Sequence, residues 1–210
     1  MPGTGEYSLA TTPVYCRQGN GETKVANEHT PSGLTNFVTS HEDLQEELPK
    51  CGAASLIVSW FGDDLRMADC RLRPKVEDAE VDGDNMPWRV SGVARGEAEV
   101  IAKLDGRPVY GGTPTDDAVV QAIRHMDEQG TKVTFYPFIL MEQMAENGLP
   151  NPWDGAADQP VLPWRGRITA SKAPGPSGSP DGTAQADAAG AAFFGTAIAA
   201  VFPVGGDRVT

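Results

Sequence analysis

The hydrophobic positions of the chain fall into separated blocks, each with the period of one kind of element. Leu56, Ile57, Val58 and Trp60 form a nearly continuous apolar run in AASLIVSW, residues 53–60. Unbroken runs of this length suit a strand covered on both faces, as in parallel sheets, whereas alternation would mark a half-exposed one. KVTFYPFIL (132–140) is a second such run. Between them Val119, Val120, Ile123 and Met126 recur at helical spacing. Thr113 precedes that helix as a cap and Pro114 is its first residue. Asp116 and Asp117 sit in the first turn, and Gly130 ends it. With the short run RPVYG (107–111) in front, the segment reads as strand, helix, strand: a βαβ unit with a right-handed crossover.

Weaker blocks complete the pattern. SHEDLQEELP (40–49) predicts a short helix capped by Ser40, with Leu44 and Leu48 on one face and Pro49 as its stop. SGVARGEAEVIAKLDG (91–106) predicts a helix from about Ala94, turning Val93, Val100, Ile101 and Leu104 inward. QADAAGAAFFG (185–195) predicts another helix, and residues 165–169 a further strand. Residues 1–35 read as an irregular arm, 62–88 as an insertion at a strand end, and 171–183 as a flexible loop.

Composition and charge narrow the function classes. The 24 glycines and 17 prolines account for the many loops. A formal charge of −12 argues against nucleic acid as a partner, since phosphate binding needs clustered Lys and Arg. No run approaches the roughly 18 apolar residues of a membrane span. The start MPGTGEYSLATTPVY has neither the basic nor the apolar part of a signal peptide. Cys16, Cys51 and Cys70 are an odd number in no metal-ligand spacing. A Cys51–Cys70 bridge is one arrangement, and free thiols are the one that cytosolic synthesis favours. No histidine has a metal partner at ligand spacing, and GGTP lacks the GK[ST] ending of a phosphate loop, so no metal and no cofactor are expected.

Candidate chemistry gathers where the predicted strands end, the edge at which parallel α/β folds collect functional groups. In FGDDLR (61–66), Asp63, Asp64 and Arg66 follow the first long strand. They read either as acids with an anchoring cation or as turn caps paired with Arg66. Glu142 follows the second strand and is a candidate acid. Trp60, Trp88, Tyr110, Tyr136, Trp153 and Trp164, near strand ends or in Pro-rich loops, are candidate stacking surfaces for a sugar, or else core or loop anchors. The candidate catalytic residues are thus Asp63, Asp64 and Glu142. The candidate substrate-binding residues are Trp60, Arg66, Tyr110, Tyr136 and Trp164.

A resemblance ties these segments together. VSWFGDDLR, CRLRPKVE, MPWRVSG, DGRPVYGGTPTDDAVVQAI, YPFILM, PWRGRIT and GSPDGTAQAD followed by AFFGTA occur in this order between residues 58 and 197. They resemble the TIM-barrel-like, glycoside-hydrolase-like domain of the large tail-tip (baseplate hub) proteins of gene transfer agents and related tailed phages of alphaproteobacteria. The resemblance covers roughly residues 5 to 197. It implies a virion component of the distal tail, with other tail and baseplate proteins as partners and a host envelope glycan as a further one. It carries over no catalytic residue.

A full barrel takes about 200 residues or more, and three or four strands can be counted here. The fold expected from the resemblance is therefore α/β, a partial (β/α) TIM-barrel-like half-barrel with long loops. It would occupy residues 51–197, after an irregular N-terminal arm and short helix (1–50) and before a tail (198–210). A half-barrel supplies at most one of the two carboxylates that glycoside hydrolysis uses, and it leaves a sheet edge for another chain to cover. The leading expectation is a structural component of the tail tip. Two others compete with it: an active glycosidase using Asp64 or Glu142 as its acid, and a non-catalytic carbohydrate-binding module.

Overall fold

The computed structural model describes residues 2–3, 5–17, 19, 21–165, 167–195, 204–205 and 208–209. In chain order the elements are β1 (Pro2–Gly3), β2 (Tyr15–Arg17), β3 (Thr23–Val25), α1 (Asn36–Glu47), β4 (Ala53–Gly62), β5 (Leu72–Arg73), β6 (Lys75–Val76), β7 (Arg89–Val90), β8 (Val93–Ala94), β9 (Glu99–Val100), β10 (Lys103–Leu104), β11 (Arg107–Pro108), α2 (Asp116–Glu128), β12 (Lys132–Met141), β13 (Trp164–Arg165), α3 (Ala184–Phe194), β14 (Val204–Gly205) and β15 (Arg208–Val209). They divide into two compact units: Met1–Phe61 with Leu72–Glu142, and Gly62–Arg71 with Gln143–Thr210.

The first unit holds the main core. Its largest sheet runs β1-β4-β12, with β5 also on β4, and β1 lies parallel to β4. The rest of its strands form two-stranded ladders: β2 with β3, β6 with β9, β7 with β8, and β10 with β11. Tyr7, Leu9, Val14, Phe37, Leu56, Val58, Trp88 and Met126 bury their side chains in one cluster. Phe61, Ile101 and Leu140 form a second. Two glycines are required by close approaches. A Cβ on Gly83 would stand 2.5 Å from the Met86 carbonyl oxygen, and one on Gly112 would stand 2.6 Å from Glu6 Cγ.

The second unit is mostly loop. Leu65 accepts from the amide of Thr169 at 2.8 Å, and Thr169 accepts from the amide of Met67 at 2.7 Å, closing a short ladder. Its helix α3 buries no residue, and β14 pairs antiparallel with β15.

The half-barrel expectation is overturned. Among the described residues there are three α-helices and many short strands in small separate sheets, with no repeating (β/α) pattern. The decisive departure is at KLDGRP. Asp105 and Gly106 have φ of 51° and 76°, and β11 folds back antiparallel onto β10 across them. Asp-Gly with both residues left-handed is the two-residue hairpin turn that matches strand twist. That turn overrides the helical spacing of Val100, Ile101 and Leu104, so the helix predicted over 91–106 is replaced by a 3-10 turn at Arg95–Glu97 and short strands. It also removes the first strand of the predicted βαβ unit, because β11 pairs with β10.

Other boundaries move less. The predicted strands at 53–60 and 132–140 are present as β4 and β12, each ten residues long. α1 starts four residues before Ser40, with Thr35 as the cap that accepts from the Val38 amide. α2 starts after Thr115, with Asp116 and Asp117 in its first turn. Thr113 is buried in the approach, where its hydroxyl accepts from the Lys75 amide at 3.1 Å.

Candidate functional site

The loop after β4 is built by its own carboxylates. In the second unit Asp63 accepts from the Arg71 amide at 2.7 Å, bracing the turn. Asp64 is buried. Its Oδ1 accepts from the Arg66 amide at 2.8 Å, from Arg66 Nε at 3.0 Å and from Gln159 Nε2 at 2.8 Å, while Oδ2 takes Arg66 Nη2 at 2.6 Å. Burial alone would raise the Asp64 pKa, but the donors of Arg66 and Gln159 outweigh it and hold the carboxyl below its ordinary value. Arg66 has a second carboxylate, Asp69, at 3.2 Å. Asp64 is thus a four-donor acceptor whose ionised form is favoured, an arrangement suited to fixing a loop and unsuited to giving or taking a proton near neutral pH.

Glu142 ends in a similar position in the first unit. One oxygen pairs with Lys75 Nζ, and the other accepts from the Ala102 amide at 2.8 Å. Lys75 also meets Glu99 at 2.9 Å, and Glu99 meets Arg73. Tyr110 lies close by, its hydroxyl donating to the Met141 carbonyl at 3.4 Å. Burial and the nearby Glu142 carboxylate both push the Tyr110 phenol up.

The structure therefore brings Asp64 together with Arg66, and Tyr110 together with Glu142. Asp63 turns to the Arg71 amide instead. Trp60 is half-buried against the main core, and Tyr136 is half-exposed on β12, 6.2 Å from Phe138. The side chain of Trp164 lies outside the described residues.

The densest charged cluster of the first unit was not legible in the sequence. Arg95 is 5% exposed. It pairs with both oxygens of Glu6, donates to the Tyr7 hydroxyl at 3.0 Å, and lies 3.0 Å from Asp82. Its guanidinium also sits 6.0 Å from the ring centroids of both Tyr7 and Trp88. Tyr7 donates in turn to Asp82 at 2.6 Å. Burial raises the Glu6 pKa against the pull of Arg95. Burial works against Asp82 as well, but donors from Tyr7, Trp88 and Arg95 lower its pKa overall. Glu6 and Tyr7 also line a cavity of about 370 Å³, with Cys16, Lys24, His29 and Asp78. Glu6 and Arg95 are 89 positions apart, and no local period announces such a pair. Both Glu6 oxygens are committed to Arg95, so the cluster acts as a rigid polar floor.

All three cysteines are free thiols, Cys16 and Cys70 buried. Among the described residues no group of three or more His, Cys, Asp or Glu could hold a metal ion, and no helix is long and apolar enough to cross a membrane. No protein-family model matches the chain, and no curated protein matches it.

Proposed function

We propose that this chain is a structural component of the distal tail of a phage or gene transfer agent, acting through contacts with other tail and baseplate proteins in host adsorption or envelope penetration. The ordered motifs from VSWFGDDLR to AFFGTA support this assembly. The structural role rests on how the candidate acids are used. Asp63 braces Arg71, Asp64 holds Arg66 and Gln159, and Glu142 holds Lys75 and the Ala102 amide. Glycoside hydrolysis needs two carboxylates with room for a sugar between them, one of them able to carry a proton. Carboxylates saturated by internal donors favour a scaffold over a hydrolase.

β12 supports a role in contacts. Its sequence is that of a covered strand, yet Phe135 and Tyr136 are 50% and 49% exposed. Successive strand residues face opposite sides, so aromatic surface is open on both. Aromatic side chains are enriched where proteins bury one another. Glycan binding draws on Tyr136 too, but the other exposed candidate, Trp153, has Arg167 stacked 4.2 Å from its ring centroid.

The test is a cryo-electron microscopy map, at side-chain resolution, of tailed particles from cells encoding this chain. The expected result is density for it at the distal tail, with Phe135 and Tyr136 covered by a neighbouring protein. Absence of the chain from purified particles would overturn the proposal. Release of reducing ends from envelope polysaccharide by the purified chain, abolished in Glu142→Gln or Asp64→Asn, would overturn its non-catalytic part.

A further inference from the structure

Three rings from two helices of the first unit meet at one point. Phe37 and His41 of α1 stack at 6.2 Å with planes 10° apart. His125 of α2 stands edge-on to both, 5.9 Å from Phe37 and 5.2 Å from His41. Phe37 and His41 are also the two buried residues of α1. One of the two buried residues of this helix is therefore a titratable ring.

The environment of that ring suits the neutral form. His41 is fully buried, and its Nε2 lies 3.2 Å from the Thr131 hydroxyl, which also takes Gln45 Nε2 at 3.4 Å. His41 Nδ1 and His125 Nε2 are buried without a hydrogen-bond partner among the described residues. Burial, and then the facing His125, push the His41 pKa below its ordinary value, with Glu42 the smaller opposing influence. The other charged groups on the elements involved are exposed and are not among the influences on the ring. They are Asp43, Glu46 and Glu47 on α1, Asp116, Asp117, Arg124, Asp127 and Glu128 on α2, and Arg89 of β7 and Lys132 of β12, which pack against α2. An imidazolium here would be a buried charge with no carboxylate in contact.

We propose that His41, stacked on Phe37 and met edge-on by His125, is an acid-sensitive latch: its neutral ring holds α1 against α2, and its protonation releases α1 while α2 and β4 stay folded. A released His41 takes up its proton near the ordinary value of 6.5, and the docked ring does so at lower pH. Docking of α1 is unaffected above that value, weakens as pH falls through it, and stops weakening below the docked ring's own pKa. α2 and β4 keep their hold because Ala118, Ala122 and Met126 of the one, and Leu56 and Val58 of the other, are buried in the main cluster and do not titrate, whereas α1 reaches that cluster only through Phe37 and the partly buried Val38.

Hydrogen exchange read by mass spectrometry tests the latch on the whole chain, comparing about pH 7.5 with about pH 5 after correction for intrinsic rates. The expected result is a loss of α1 protection of about tenfold or more, the equivalent of one unmatched pH unit of protonation, with α2 and β4 unchanged. His41→Phe, which keeps a ring and cannot protonate, should abolish the difference. Equal α1 protection at both pH values, joint loss across α1, α2 and β4, or persistence of the loss in His41→Phe would each overturn the proposal. If that variant fails to fold, NMR of the His41 side chain in the unaltered chain decides. A His41 signal that titrates only as α1 loses structure supports the latch. A His41 that titrates while α1 stays docked refutes it.

Discussion

Arg66 folds back onto Asp64, two residues earlier, and its Nε and Nη2 grip both oxygens of the one carboxylate at 3.0 and 2.6 Å. Two side chains that the sequence offers as an acid and an anchoring cation thereby neutralise one another. The Gln159 amide completes the grip from 95 positions away.

Asp64→Ala should destabilise the second unit by about 2–4 kcal/mol, because it strips a buried acceptor from Arg66 and Gln159 at once. The lower end is expected, since Arg66 retains Asp69 and is partly open to water. Urea unfolding followed by Trp153 fluorescence measures it. The pH dependence has a definite sign. A carboxyl held below its ordinary value stabilises fully above that value, about 3.9, and the gain is lost as pH falls through the folded-state pKa. Asp64→Asn should lack this loss below about pH 4.

Gly112→Ala should cost about 2–4 kcal/mol, the range of a forced overpacking that also unpairs a buried charge. The new methyl would meet Glu6 Cγ at 2.6 Å and push the carboxylate off Arg95. A melting temperature unchanged from the parent chain would mean that Glu6 moves without losing its partner.

Arg95→Met should destabilise the first unit by about 3–5 kcal/mol, as expected when a buried carboxylate loses its cation, and Glu6→Gln by less, since Arg95 keeps Asp82. The double variant should lose clearly less than the two together, because the Glu6–Arg95 contact is then lost once and not twice. Denaturant midpoints for the four chains give the coupling directly, and additive losses would show that the pair is not energetically linked.

Phe135→Ser with Tyr136→Ser should change stability by no more than about 0.5 kcal/mol per site, since exposed side chains contribute little to folding. The same pair should lower incorporation of the chain into tailed particles. A large drop in melting temperature would show instead that these rings are packed within the fold.

Local pattern and structure coincide where periodicity and punctuation agree. β4 and β12 follow from their apolar runs, and α2 keeps its acidic first turn and ends at Gly130. Misreadings came where two local patterns competed. The spacing of Val100, Ile101 and Leu104 suggested a helix, but Asp105-Gly106 holds two left-handed residues that no helix accepts. One hairpin there dismantled both a predicted helix and the βαβ unit on which the half-barrel expectation leaned.

By itself, the sequence determined that the runs of β4 and β12 are extended and those of α1, α2 and α3 helical, because periodicity, caps and turn residues act over a few neighbours. Only the tertiary structure decided how the charges are spent and which apolar runs are covered. Glu6 meets Arg95 across 89 positions and Asp64 meets Gln159 across 95, while β12, with the composition of a buried strand, leaves Phe135 and Tyr136 half-exposed. Pairing and burial depend on which distant segments come to lie side by side, and no local pattern in the chain carries that information.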